Sequence, residues 1–123
     1  NAVGGYVFVH KVSTLAEDFE GESFCADIHV SPDGKFVYGS NRGENTIVIF
    51  NRDQHTGQLT LVGRESVHGE WPRNFTIDPT GKFLLVANQN SNNISVFKRD
   101  QELGTLSFKS EQKLAKPVCL LFL

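Results

Sequence analysis

Three side chains in this 123-residue sequence have the types and spacing for chemistry on an anionic molecule: Asp27, Arg42 and Arg73. A carboxylate can take a proton from water, and partial burial tunes its pKa for that task. Guanidinium groups bind phosphate or carboxylate oxygens through forked hydrogen bonds, or steady a developing oxyanion. Five more residues are candidates to line the same site: His29, His68, Trp71, Asn74 and Gln89. Each has a structural alternative. Asp27 and Arg42 would form an ion pair between two strands, His29 would hydrogen-bond within its own layer, and Trp71 would pack as a lid over the neighbouring unit.

The elements that must position these residues follow from an internal repeat of 47 residues. Pro32, Gly34, Lys35 and Phe36 return as Pro79, Gly81, Lys82 and Phe83; Arg52, Asp53 and Gln54 return as Arg99, Asp100 and Gln101. Between residues 31–62 and 78–109, 13 of 32 positions are identical without a gap. A period of this length marks a repeat architecture.

Within each repeat, short β-branched and aromatic runs alternate with turn residues. Strands are expected at 27–30, 36–40, 46–50 and 59–62, and again at 74–77, 83–87, 94–97 and 106–108. Pro32 and Gly34, second and fourth in their tetrad, suit a type I turn closing the first hairpin. Asp53 and Asp100 recur with the repeat and read as turn residues, not as half of a carboxylate pair. Four short antiparallel strands per unit make the blade of a β-propeller. The expected fold is therefore all-β, a partial β-propeller with full blades at 25–63 and 72–109. An outer strand at about 5–12 would precede them, and an inner strand at 117–123 would close a blade begun elsewhere in a longer protein. A β-sandwich is the runner-up, and it leaves the constant offset unexplained.

In a propeller the first strand of each blade lines the central channel. The loop before that strand and the loop joining the second and third strands open on the same face. Asp27 and Asn74 would begin inner strands, Arg42 and Gln89 would sit in second-to-third strand loops, and His68, Trp71 and Arg73 would sit in the connection between blades. All would gather at one channel mouth, which the acidic stretch 17–22 could cover.

Composition narrows the function classes. Net charge is −2 with both signs mixed, so no basic field suggests nucleic acid, and no apolar run approaches the ~20 residues of a membrane span. Cys25 and Cys119 lack metal-ligand spacing and read as buried free thiols, with a lean towards a reducing, cytoplasmic setting. Neither a metal nor a cofactor is expected, since no ligand cluster, phosphate-cradling glycine loop or Gly-x-Ser-x-Gly stands in the sequence. The sequence contains no Met and opens inside a repeat, so it reads as the later part of a longer protein. Such a piece would expose blade edges and pair with the missing blades or with another copy.

Several motifs taken together resemble one family. They are Asp27-Ile28-His29-Val30 running into Ser31-Pro32-Asp33-Gly34, then Ser40-Asn41-Arg42-Gly43, Pro72-Arg73-Asn74-Phe75 and Leu85-Val86-Ala87-Asn88. These are similar to the seven-bladed lactonase family, which includes propeller-type 6-phosphogluconolactonases and carboxy-cis,cis-muconate cyclases. The resemblance implies metal-independent hydrolysis of a sugar-acid lactone such as 6-phosphogluconolactone at the channel mouth, with Asp27 as base and Arg42 and Arg73 on the substrate. It equally allows a lactone-forming cyclase, and a propeller that binds a ligand or partner protein without catalysis is a third reading. Asp27 stands where the family usually carries Glu, and Trp71 where it carries a small residue. The isolated 123 residues are expected to be inactive.

Overall fold

A computed structural model describes Ser13 and residues 23–114. The expected strands at 5–12 and 117–123, the acidic stretch 17–22 and Cys119 lie outside the described residues. Eight strands follow one another: β1 (Phe24–Val30), β2 (Phe36–Arg42), β3 (Thr46–Arg52), β4 (Leu59–Ser66), β5 (Pro72–Ile77), β6 (Phe83–Asn88), β7 (Asn93–Arg99) and β8 (Leu106–Lys113). They form two four-stranded antiparallel sheets in chain order, β1 to β4 and β5 to β8. These are the two expected blades.

The turns are built as their residues dictate. Gly34 N–H donates to the Ser31 carbonyl at 2.8 Å, and Gly81 N–H to the Asp78 carbonyl at 2.8 Å, closing the same tight turn in both blades. The aspartates that open the β3–β4 and β7–β8 turns also act alike. Backbone N–H groups of Thr56 and His55 hold the Asp53 carboxyl below its usual range, and those of Leu103 and Glu102 do the same for Asp100. Arg52 and Arg99 reach back over their hairpins to the carbonyls of Gly34 and Gly81, at 3.1 and 2.9 Å.

Packing then joins the sheets. Phe36, Tyr38, Ile47 and Ile49 from the first meet Phe75, Leu84, Val86, Phe97 and Leu106 from the second, with Val67 of the connection buried between them. Strand alternation fixes these faces: Ile47 and Ile49 point one way, Val48 and Phe50 the other. At one end of this slab lies Arg99, 3% exposed. Its Nε donates to the Tyr38 hydroxyl at 2.7 Å, and that hydroxyl donates to the Gly104 carbonyl at 2.6 Å.

Three details depart from the sequence reading. Arg73, expected in the connection between blades, lies within β5 at its bulge, because pairing with β6 already begins at Pro72. Arg42 is not a loop residue; it ends β2, because its backbone still pairs with Phe24 of β1. Cys25 is exposed, not buried, since β1 is the edge of its sheet among the described residues.

Gly104 tests the contact between blades. It has φ +78°, and a Cβ there would lie 2.4 Å from Cδ1 of the buried Phe36 ring. Gly104→Ala should cost about 2–4 kcal/mol, combining the left-handed backbone with overpacking. Gly34 has a similar φ, with a Cβ there 3.9 Å from the Arg52 guanidinium, and Gly34→Ala should cost about 1–2 kcal/mol. Urea denaturation of both variants checks the difference; equal losses would remove Phe36 from the account.

Candidate functional site

Each inner strand carries a bulge near its start, and the two bulges are one repeat apart. In β1 the register skips between Cys25 and Asp27, and in β5 between Pro72 and Asn74. The unpaired residues are Ala26 and Arg73. A bulge kinks the strand and re-aims its side chains. Arg73 is exposed there.

Asp27, just past the first bulge, accepts four hydrogen bonds, two of them from the next blade. Its Oδ2 accepts from Asn74 Nδ2 at 2.7 Å, His29 Nε2 at 3.0 Å and Phe75 N–H at 3.3 Å. Its Oδ1 accepts from Ile28 N–H at 2.9 Å, and its own N–H donates to Ser40 Oγ at 3.2 Å. One carboxylate therefore ties the inner strands of two blades. The His29 ring stands edge-on to Phe75 with centroids 4.8 Å apart, and its side chain remains 39% exposed. With Nε2–H directed at Asp27, Nδ1 of a neutral ring is left as an acceptor.

Arg42 occupies a different setting from the ion pair considered above. Asp27 pairs with His29, and Arg42 instead lies against two rings. Its guanidinium carbon is 5.8 Å from the Phe24 centroid and 5.7 Å from the Trp71 centroid, and those rings are 6.1 Å apart, edge to face. Its terminal nitrogen donates to the Cys25 carbonyl at 3.3 Å, while Nε is buried without a hydrogen-bond partner. Aromatic faces stabilise the cation without neutralising it.

The loop before β5 places Trp71 there. Trp71 has φ +67°, a costly value for a large side chain. Its N–H donates to Asn45 Oδ1 at 2.9 Å and its carbonyl accepts from Gln89 N–H at 3.0 Å. Gln89 thus contributes through its backbone, with its side chain half-buried. His68 goes elsewhere. Its φ of +54° turns the ring onto Phe108 of β8, 4.2 Å centroid to centroid, three strands away from β5.

The structure therefore brings Asp27, His29 and Asn74 into one hydrogen-bonded cluster, and Arg42 with Trp71 into a second. Arg73 sits on the bulge beside Asn74, and His68 belongs to neither cluster. Sequence reasoning passed over Phe24 and Asn45. Phe24 and Trp71 are one repeat apart and both aromatic, a signal that was available; Asn45 reads as an ordinary turn residue. Among the described residues, no three His, Cys, Asp or Glu side chains converge as a metal-binding group.

With this geometry in place, comparison with known proteins is informative. The family described as "Lactonase, 7-bladed beta-propeller" matches residues 2–122. This chain belongs to that family. A 6-phosphogluconolactonase of Bacillus subtilis is 41% identical over 75 residues, covering 61% of this chain and 22% of the relative. One from Formosa agariphila is 63% identical over 55 residues, covering 43% of this chain and 16% of the relative. The crystal structure of the Pseudomonas aeruginosa periplasmic gluconolactonase superposes with a TM-score of 0.81 at 38% identity, over 84% of this chain and 29% of that one. The chain spans less than a third of these proteins, consistent with two blades of a lactonase propeller.

The Asp27–Asn74 bond gives this arrangement a check. Asn74→Asp would set two carboxylates at the 2.7 Å separation now held by a hydrogen bond. The introduced carboxyl should titrate above its unfolded value, because a like charge disfavours ionisation. Stability at neutral pH should fall by about 1–3 kcal/mol. That loss should be recovered as pH drops through the raised value, where the folded state takes up the proton. Thermal melts from pH 7 to pH 4 give the answer; a deficit that does not shrink on acidification would mean the two side chains do not meet.

Proposed function

We propose that this chain supplies two blades and part of the channel-mouth site of a sugar-acid lactonase, acting on 6-phosphogluconolactone or a related lactone. The observation that carries the reading is the hydrogen-bonded Asp27–His29 pair on the inner strand of the first blade, with Arg42 held against Trp71 and Arg73 exposed on the β5 bulge. The Oδ2 atom of Asp27 already accepts three hydrogen bonds, so Asp27 acts by orienting His29 and stabilising its positive charge. The free ring nitrogen of His29 takes a proton from water as the water oxygen attacks the lactone carbonyl. The tetrahedral oxyanion collapses, the ring ester bond breaks, and the leaving alkoxide takes the proton back from the imidazolium. Arg42 and Arg73 hold the anionic substrate or the oxyanion. A phosphorylated or carboxylated sugar lactone fits this charge, and the free thiol of Cys25 suits a reducing, cytoplasmic setting.

One observation favours a second reading. The saturation of Asp27 by structural donors also suits a propeller that binds an anionic ligand without turning it over. Lactone hydrolysis by the full-length protein separates the two. His29→Gln and Asp27→Asn should lower kcat by about 10²–10⁴-fold. Arg73→Ala should raise KM for an anionic lactone by about tenfold or more, as expected for a lost charge-assisted hydrogen bond. Unchanged rates in all three would reject the site, and binding without turnover in the parent would establish the second reading.

The partner follows from the repeat. Phe36, Tyr38, Ile47 and Ile49 are at most 3% exposed against the second blade. Their counterparts Phe83, Leu85, Ile94 and Val96 are half-buried on the far face of that blade. That face takes a further blade of the same type, from the rest of a longer protein or from another copy of this chain. The 123-residue chain should therefore self-associate in sedimentation velocity as concentration rises, and Leu85→Lys should weaken association. A monomer at high concentration would count against it.

A further inference from the structure

Arg42 and Trp71 belong to different blades, and their approach depends on one side chain. Asn45 lies in the β2–β3 turn, three residues beyond Arg42, with φ +60°. Its Oδ1 accepts two backbone hydrogen bonds, from Gly43 N–H at 3.2 Å and from Trp71 N–H at 2.9 Å. Both partners are donors, so the amide orientation is fixed by chemistry. Its carbonyl accepts from Val67 N–H at 3.1 Å, at the other end of the connecting loop. Asn92, one repeat later, has φ +54° and accepts from Leu114 N–H at 2.9 Å. The left-handed turn is thus common to both blades. At Asn45, the side-chain oxygen also fixes the residue whose ring covers Arg42.

We propose that Asn45 is a positioning residue of the site, locking the Arg42 turn of one blade to the Trp71 loop of the next so that the guanidinium is held against the aromatic faces and aimed at an anionic substrate. The substrate part of this inference rests on the lactonase reading; the loop-locking part does not. Trp71 carries its strained φ with its N–H held by Asn45 and its carbonyl by Gln89. Releasing the first bond lets the loop relax, moves the indole and frees Arg42 to reorient.

The test uses the one tryptophan of these 123 residues as reporter, in the full-length protein with the Trp71→Phe signal subtracted. Asn45→Gly keeps the left-handed backbone and removes Oδ1; Asn45→Asp keeps an acceptor at the same place. Asn45→Gly should red-shift Trp71 emission, increase its quenching by acrylamide, and raise KM for 6-phosphogluconolactone about two- to tenfold with kcat little changed. Asn45→Asp should restore both. Unchanged emission in Asn45→Gly, or an Asn45→Asp that behaves like Asn45→Gly, would overturn the proposal and leave Asn45 a turn residue. If emission responds and is rescued while no form hydrolyses the lactone, the positioning role stands and the lactonase reading fails.

Discussion

A buried guanidinium sets the relative placement of the two blades. Arg99 lies between the sheets, where an unpaired charge would cost several kcal/mol. It is tolerated because it donates to the Tyr38 hydroxyl of one blade and the Gly81 carbonyl of its own, with Asp33 3.8 Å away and the Phe36 and Tyr38 rings against it. Sliding one sheet past the other by a residue would strip these partners and drive Phe36 away from the gap that Gly104 leaves. Apolar burial alone is not directional. The hydrogen bonds around Arg99 add direction, and they select one register from the many that an oily slab would permit.

The opposite, inner end of the slab is fixed by the Asp27 carboxylate, and that is where structure and chemistry compete. A carboxylate accepting from Asn74 and Phe75 of the next blade serves the fold. The same oxygen accepting from His29 fixes the orientation of that ring. The two uses are compatible only if the carboxylate stays in place. The donors from the second blade hold it there, at 2.7 Å from Asn74 Nδ2 and 3.3 Å from Phe75 N–H. The inter-blade latch thereby presets the orientation of His29.

Much of this was legible in the sequence, for identifiable reasons. The blades, their four strands and their turns follow from a repeat whose glycines and aspartates have backbone duties, as at Gly34 and Gly81 or Asp53 and Asp100. Strand ends were less legible. Arg42 and the last residues of β4 and β8 are polar, so hydrophobic patterning stops before the backbone pairing does. Bulges leave no mark in composition, and the exposure of Cys25 depends on which strand forms the sheet edge. His68 was misplaced because a positive φ, invisible in a non-glycine residue, turned its ring onto Phe108. Asp27 stood out in the sequence as a candidate, but its bonds to Asn74 and Phe75 cross 47 and 48 residues of sequence, and only the packed blades bring those groups together.

The setting of Arg42 explains why the site can present positive charge at all. A guanidinium that finds a carboxylate nearby is neutralised, and its affinity for an anion falls accordingly. Here Asp27 is engaged by four donors, and Glu44 is held by Arg64 and Thr46. Arg42 is left to aromatic rings, which stabilise its charge through their quadrupoles and leave the edge of the guanidinium available. Its buried Nε has no hydrogen-bond partner among the described residues, a cost the fold accepts beside Trp71. Phe24 and Trp71, one repeat apart, each precede the bulge of an inner strand. The repeat that builds the blades therefore also supplies the two rings that hold this cation.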